Sequence, residues 1–159
     1  MASLIDVVGY VLASYPKAKR DDLSNARVTK IIYLADWKHA IEHGRQITDI
    51  KWFFDNYGPF VHDVGNTALA HPDIVRVETT SNVFGNSKRL FKLIVPEYPP
   101  NSLSPTEKQA IDHAIKQTAD RPWNSFVQLI YSTYPVVSSE RYSWLDLVSQ
   151  AKAYKEQAP

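Results

Sequence analysis

The residues with the clearest potential for metal chemistry lie on one predicted helix. Asp36, His39 and His43 are spaced three and four residues apart, which places their side chains on one helix face. Such a cluster could bind zinc in a metal-dependent enzyme. The same spacing is common on solvated helix faces, and a histidine near a helix C-terminus is also explained by the helix dipole. Because no further cluster of histidines and carboxylates accompanies the three, we expect no metal or other cofactor.

Other motifs for catalysis are missing from the sequence. The chain has no cysteine, which excludes thiol nucleophiles and cysteine-ligated metals. Neither a G-x-S-x-G nucleophile turn nor a glycine-rich phosphate loop occurs. The acids Asp21 and Asp22 directly follow Lys17, Lys19 and Arg20, so we interpret them as parts of a solvated loop. We therefore expect that the protein is not an enzyme.

Aromatic side chains are concentrated before Phe60. Most are expected in the core, although aromatic and arginine side chains are also common anchors of protein interfaces. Alternation along a strand cannot bury Trp52, Phe53 and Phe54 on one face, so either both faces are covered or one ring is available to a partner. The candidates for partner binding are Trp37, Arg45, Trp52, Phe54, Tyr57 and Phe60.

A central helix must position most of these residues. Asn25 is predicted to cap it, His43 to end it, and Gly44 to take the left-handed position that follows a helix. The consecutive apolar residues 31–35 extend beyond one helical stripe. Other elements are therefore expected to pack around this helix on more than one side. A shorter first helix is predicted between Ser3 and Pro16.

The middle of the chain is predicted to form a small β component. Residues 47–54 suit a short strand, and residues 60–69 a short helix. Residues 74–80 and 90–95 flank the turn residues Gly85 and Asn86, which predicts an antiparallel hairpin. The strand containing Trp52 could join this hairpin and form a three-stranded sheet.

The C-terminal part is predicted to be helical. Ser104, Pro105 and Glu107 form a capping box with proline in the first helical position. A further helix over residues 124–133 should end at Pro135, and a last one should begin at Ser143. The fold class is thus α+β and predominantly α-helical. At 159 residues we expect a single domain, with a helix-sheet part over residues 1–96 and a helical part over residues 104–155.

The overall charge and hydropathy restrict the partners and the location. The formal net charge of +1 provides no strong field for nucleic acid, so nucleic-acid binding is not expected. No apolar run approaches the length of a membrane span, and the N-terminus lacks the features of a signal peptide. We therefore expect a cytoplasmic protein that does not enter the membrane.

Three segments of the sequence resemble the signature of the Panacea antitoxin domain, also called the SocA-like domain. They are KIIYLAD at 30–36, GRQIT at 44–48 and YGP at 57–59, in the order and spacing of that family. Asp49 stands where relatives usually carry glycine, and Asp55 and Asn56 stand where many carry small or apolar residues. The matching residues, which we expect to maintain a helix-turn-strand corner, are Lys30, Tyr33, Asp36, Gly44, Thr48, Tyr57, Gly58 and Pro59.

The resemblance implies a bacterial or phage protein without catalytic activity. Such a protein would bind and neutralise a cognate protein toxin, for example one resembling a small alarmone synthetase, as in a type II toxin-antitoxin system. An alternative within the family is an adaptor that delivers the toxin to a protease. A signature shared by proteins that face different toxins is expected to maintain the fold. We therefore expect recognition to lie where this chain departs from the signature.

Overall fold

The computed structural model describes residues 1–81, 85 and 87–157, except for the side chain of Asp22. Within these residues it contains seven α-helices, a 3-10 helix and five strands, which confirms the predicted α+β, predominantly helical class. In chain order the elements are α1 (Leu4–Ser14), a 3-10 helix (Lys17–Asp22), α2 (Asn25–His43), β1 (Trp52–Asp55), β2 (Gly58–Pro59), α3 (Asp63–Ala70), β3 (Val75–Ser81), β4 (Ser87–Leu93), α4 (Pro105–Thr118), α5 (Trp123–Tyr131), α6 (Tyr134–Val137), β5 (Trp144–Leu145) and α7 (Leu147–Gln157).

Helix α2 is the centre of the fold, as the apolar run predicts. Every residue from Arg27 to Trp37 is buried, and α4, α7, α3 and α1 all pack against the helix. The cap is Ser24 rather than Asn25, because the Ser24 hydroxyl accepts a hydrogen bond from the Arg27 amide at 3.1 Å. At the other end, Gly44 takes a left-handed φ of 74°.

The prediction that the Trp52 strand joins the hairpin is wrong, because the chain forms two separate sheets. Strands β3 and β4 pair with each other as an antiparallel hairpin, whereas β1 lies between β2 and β5. In the second sheet Trp52 is opposite Leu145, and Phe54 is opposite Pro59. Gly85 has a φ of 79° in the hairpin turn, and Asn86 lies outside the described residues.

The C-terminal part contains one confirmed helix start and two corrections. The hydroxyl of Ser104 accepts from the Glu107 amide, and the Glu107 carboxylate accepts from the Ser104 amide, so the capping box is present. Pro135 lies in the first turn of α6, where a missing amide proton costs nothing. The last helix, α7, begins at Leu147 and not at Ser143, because Trp144 and Leu145 pair with β1 as strand β5.

One apolar core extends through both parts of the chain. It includes the buried side chains of α2 together with Ile111 of α4, Phe126 of α5 and Leu147 of α7. Arg27 adds a polar connection, because its guanidinium donates to the carbonyl oxygens of Thr118 and Arg121 at 2.7 and 2.8 Å. Across residues 1–81, 85 and 87–157, every helix is too short or too polar to cross a lipid bilayer.

Candidate protein-binding surface

The corner formed by Tyr57, Gly58 and Pro59 projects an aromatic ring from a short turn. Strands β1 and β2 are joined by two residues, Asn56 and Tyr57, and Gly58 follows with a φ of 99°. A side chain is strained at this φ, which explains glycine here. Tyr57 lies at the tip and 78% of it is exposed. The chain thus exposes a large aromatic side chain to solvent on a two-residue turn.

Lys30 of α2 lies directly beneath this corner. Only 2% of the residue is exposed, and its ammonium nitrogen is 3.4 Å from the carbonyl oxygen of Pro59. It also lies 5.6 Å from the centre of the Phe60 ring. Burial lowers the pKa of Lys30 to about 8, a shift that the charge of Asp55 partly opposes. Lys30 is thus a buried, mostly protonated amine with one long hydrogen bond.

Lys30 faces a cavity of about 540 Å³, which we call the aromatic pocket. Trp123 of α5 contributes to its wall and is 44% exposed. The walls are mainly apolar, so a ligand here would leave water and meet aromatic surface. The aromatic pocket is defined by Lys30, Asp55, Tyr57, Phe60, Trp123 and Tyr131.

A second cavity of about 720 Å³ adjoins the aromatic pocket, and we call it the basic groove. The two cavities share Phe60 and Trp123, so they form one continuous surface. None of the described residues that line the basic groove is an aspartate or glutamate. Its charged and titratable lining residues are Arg27, His62, Lys88, Arg89 and Arg121.

Asp36 belongs to the fold rather than to this surface. It is completely buried, and its carboxylate accepts hydrogen bonds from the Ile47 and Thr48 amides, the Thr48 hydroxyl and the Trp52 indole at 2.6–3.0 Å. The Gln46 amide adds a longer contact of 3.4 Å. Burial raises the pKa of Asp36 to about 6 although these donors lower it, so the group is mainly ionised at neutral pH. Asp36 therefore orders the loop between α2 and β1.

Most other residues of the family signature are also internal, and the exposed ones are Gly44 and Tyr57. Tyr33 donates to or accepts from the Thr133 hydroxyl at 2.8 Å, and its ring packs edge-on against Trp52. Thr48 is buried beside Asp36. A β-carbon at Gly58 would lie 3.6 Å from side chains of α5. Only Tyr57 among the signature residues has a largely exposed side chain. The signature thus describes contacts that hold the corner in place.

The metal-binding hypothesis for Asp36, His39 and His43 has no geometric support. The Nδ1 atom of His39 lies 2.8 Å from the Arg45 carbonyl oxygen, and its Nε2 lies 3.0 Å from the Thr106 hydroxyl. Burial lowers the pKa of His39, which favours the neutral ring. Both nitrogens of His39 and the oxygens of Asp36 are thus occupied by protein groups. Among the described residues, no three histidine or acidic side chains are grouped closely enough to share a metal ion.

The six predicted partner-binding residues are divided between core and surface. Trp37, Trp52 and Phe54 are buried. Trp52 and Phe54 lie on the same, covered face of β1, whereas Phe53 on the opposite face is only partly buried. The half-exposed Arg45 forms an ion pair with Glu107 at 3.1 Å. Tyr57 and Phe60 line the aromatic pocket, and partner binding by any of the six remains a prediction.

Sequence reasoning did not identify the residues that complete the surface. Trp123 and Tyr131 come from α5, and Lys88 and Arg89 from β4, all distant in sequence from the corner. The only local signal in the sequence is that Trp123 and Tyr131 are aromatic residues on a short amphipathic helix. Such a pattern is equally typical of a helix that packs on the core. Asp55, one of the positions that departs from the family signature, does line the aromatic pocket.

A family model for the antitoxin SocA-like, Panacea domain matches residues 28–135. The chain belongs to this family. The matched region runs from α2 to α6 and contains the corner, the six residues that define the aromatic pocket, and all the charged and titratable residues of the basic groove except Arg27. No curated protein and no solved structure matches the chain. The name of the Panacea family is consistent with an antitoxin role and with a protein partner.

Proposed function

We propose that the protein is a non-catalytic antitoxin of a type II system, which neutralises a cognate toxin in the cytoplasm by direct binding. Membership of the SocA-like, Panacea family carries this proposal. The buried environment of two candidate residues for metal chemistry, His39 and Asp36, supports the non-catalytic part. His39 is engaged by Arg45 and Thr106, and Asp36 by the loop that it orders.

The aromatic pocket is the surface on which we expect the toxin to bind. Tyrosine and tryptophan dominate the energetic centres of protein interfaces, and Tyr57 and Trp123 are both exposed here. Tyr57 lies on a two-residue turn, and Trp123 lies in the first turn of α5.

A rival surface lies around Trp144 of β5. This ring is 69% exposed and packs edge-on against Phe53 at 5.0 Å. The cavity beside it is lined by Asp49, Asp55 and Asp63 as well as Lys51, so its charge differs from that of the basic groove. A partner that binds Trp144 would therefore have a different electrostatic character, and the two surfaces can be separated by mutation.

Co-expression with the protein encoded by the adjacent reading frame tests the proposal. We expect the neighbour to arrest growth when expressed alone, and we expect the wild-type chain to restore growth. Tyr57→Ala and Trp123→Ala should each weaken rescue and reduce affinity by about 10-fold or more, as expected for interface centres. The exposed Val137 on α6 provides a matched control, and Val137→Ala should rescue like wild type.

Three outcomes contradict the proposal or part of it. A neighbour that is harmless alone, or equally toxic with the wild-type chain, would overturn the antitoxin function. Loss of rescue by Trp144→Ala with full rescue by Tyr57→Ala would move the interface to the rival surface. A toxin level that falls with the chain and recovers when a cellular protease is removed would indicate a proteolytic adaptor instead of direct neutralisation.

A further inference from the structure

We propose that the aromatic pocket is a carboxylate-binding site, in which the Lys30 ammonium receives an aspartate or glutamate side chain of a protein partner. The identity of that partner rests on the proposed function, whereas the carboxylate site rests on the pocket alone. Three observations lead to it: the incomplete hydrogen bonding of Lys30, the apolar walls and the charge of the adjoining surface.

Lys30 has hydrogen-bonding capacity that the described chain does not use. A lysine ammonium has three donors, and the Pro59 carbonyl accepts one of them at a long distance of 3.4 Å. No ion pair to Lys30 occurs among the described residues, and Asp55 on the same pocket wall acts only through its longer-range charge. Only 2% of Lys30 is exposed, and a charged group in a buried side chain is costly without a close anion. A partner carboxylate would satisfy it.

The walls of the pocket would strengthen such an interaction. Phe60, Trp123 and Tyr131 present ring surface, and the Phe60 ring faces the ammonium. When a partner closes the pocket, water is displaced and the attraction between opposite charges increases. The same rings can contact the methylene groups of an aspartate or glutamate side chain, so the site provides both apolar and charged contacts.

The adjoining basic groove favours an acidic partner segment. Lys88, Arg89 and Arg121 line it without a described acidic residue, and His62 is also present. Oppositely charged surfaces accelerate association and select among partners. Asp55 is the single described acid in the lining of the two cavities, and Tyr57 and Tyr131 are the other titratable groups that face Lys30.

A single carboxylate fits the pocket better than a phosphate group does. Phosphate sites combine several backbone amides or a bidentate arginine, whereas this pocket offers one ammonium beside Pro59, which has no amide proton. The charge of Asp55 opposes a dianion more strongly than a monoanion. A nucleotide or nucleic-acid ligand is therefore the alternative that the test must separate.

The first experiment uses the full chain without its partner. We would follow the ε-methylene NMR signal of Lys30, assigned by its absence in Lys30→Met, during titration with capped peptides. Acetyl-Gly-Phe-Glu-Gly-amide should shift this signal with a Kd on the order of 1 mM, and the matching glutamine peptide should not. Lack of a shift by the glutamate peptide would overturn the site. If inorganic phosphate or UMP binds more tightly than the glutamate peptide, the pocket is a phosphate site and not a carboxylate site.

The second experiment uses the purified complex with the protein of the adjacent reading frame. Lys30→Met should reduce its affinity by about 10-fold or more, as expected for removing one partner of a buried charge pair. The exposed Lys152 on α7 provides the control for loss of one positive charge, and Lys152→Met should bind like wild type. In the wild-type complex the pKa of Lys30 should rise above its value in the free protein.

Failure of this inference is distinguishable from failure of the proposed function. If the complex forms and Tyr57→Ala weakens it while Lys30→Met does not, the antitoxin function stands and the carboxylate site in the partner interface is wrong. If wild type forms no complex, the proposed function fails, and the peptide titration still decides whether the pocket binds carboxylates. A Lys30→Met variant that unfolds would assign Lys30 to the fold and contradict the inference.

Discussion

Two buried charged residues on α2 have opposite environments, and this difference separates structure from binding. Asp36 accepts hydrogen bonds from several groups of the following loop, and these replace the water that it lost on burial. Lys30, less than two helical turns earlier, has one long hydrogen bond to Pro59. Asp36 therefore maintains the fold, whereas the role that we propose for Lys30 is in binding.

The isolated environment of Lys30 predicts a pH-dependent difference in stability between wild type and Lys30→Met. The pKa of Lys30 is about 8 in the folded protein, whereas the ordinary value for a lysine is 10.5. The unfolded chain therefore binds more protons between these values, and wild-type stability rises with pH in this range. Below pH 8 a pKa shift of this size corresponds to a cost of about 3 kcal/mol for keeping Lys30 charged in the folded state.

Lys30→Met removes this cost, so we expect it to be as stable as wild type or more stable at pH 7. Its advantage should decrease between pH 8 and 10.5. Urea unfolding of both proteins across this pH range measures the difference between their free energies of unfolding. Other titrating groups affect both proteins equally, so their contribution cancels in this difference. A variant that loses stability equally at every pH would show that the Pro59 contact dominates.

At the scale of elements, the loop between α2 and β1 is ordered from within. Gly44 ends the helix, and the backbone amides of Ile47 and Thr48 turn inward to the Asp36 carboxylate. The indole of Trp52 binds the same group, which sets where β1 begins. The three separated segments of the family signature thus meet through direct contacts between α2, this loop and the corner.

We predict that Asp36→Asn is strongly destabilising. The amide nitrogen of asparagine is a donor and would face hydrogen-bond donors already present, leaving buried polar groups unsatisfied. The expected loss is about 2–4 kcal/mol of unfolding free energy. Urea denaturation followed by tryptophan fluorescence measures it. Thr48→Val, which removes one of the donors, should cost less, and equal midpoints for wild type and Asp36→Asn would contradict this role.

At the scale of the whole molecule, the C-terminal segment completes the core. The family match ends at residue 135, yet β5 pairs with β1, and α7 packs against α2 beyond that point. Leu145, Leu147 and Ala151 of this segment are all buried. The sheet that carries the corner therefore depends on residues about 90 positions later in the chain.

Truncation after Arg141 should therefore destabilise the protein enough to prevent cooperative folding. Removing α7 exposes apolar surface of α2 around Trp37, and removing β5 leaves β1 without one neighbour. Thermal unfolding by circular dichroism should show a lost or broadened transition. Truncation after Tyr154 removes only exposed residues among those described and should leave the midpoint nearly unchanged. A sharp transition at the wild-type midpoint in the protein that ends at Arg141 would contradict this account.

The amino-acid sequence by itself determined the family, the class of fold and the elements whose signals are local. The α2 helix, the capping box at Ser104 and the β3–β4 hairpin follow from caps, turn residues and periodicity within a few neighbouring positions. The burial of α2 on several sides follows from its unbroken apolar run. The signature segments are also local patterns, and they identified the Panacea family before their contacts were known.

Only the tertiary structure decided the partners of β1 and the composition of the candidate surface. Pairing of Trp52 with Leu145 depends on chain segments far apart, and residue alternation carries no information about such partners. Burial of Trp52 and exposure of Trp123 depend on what packs against each ring rather than on residue type. The isolation of the Lys30 ammonium is likewise a property of its three-dimensional surroundings, because it is defined by the hydrogen-bond acceptors that distant segments do or do not supply.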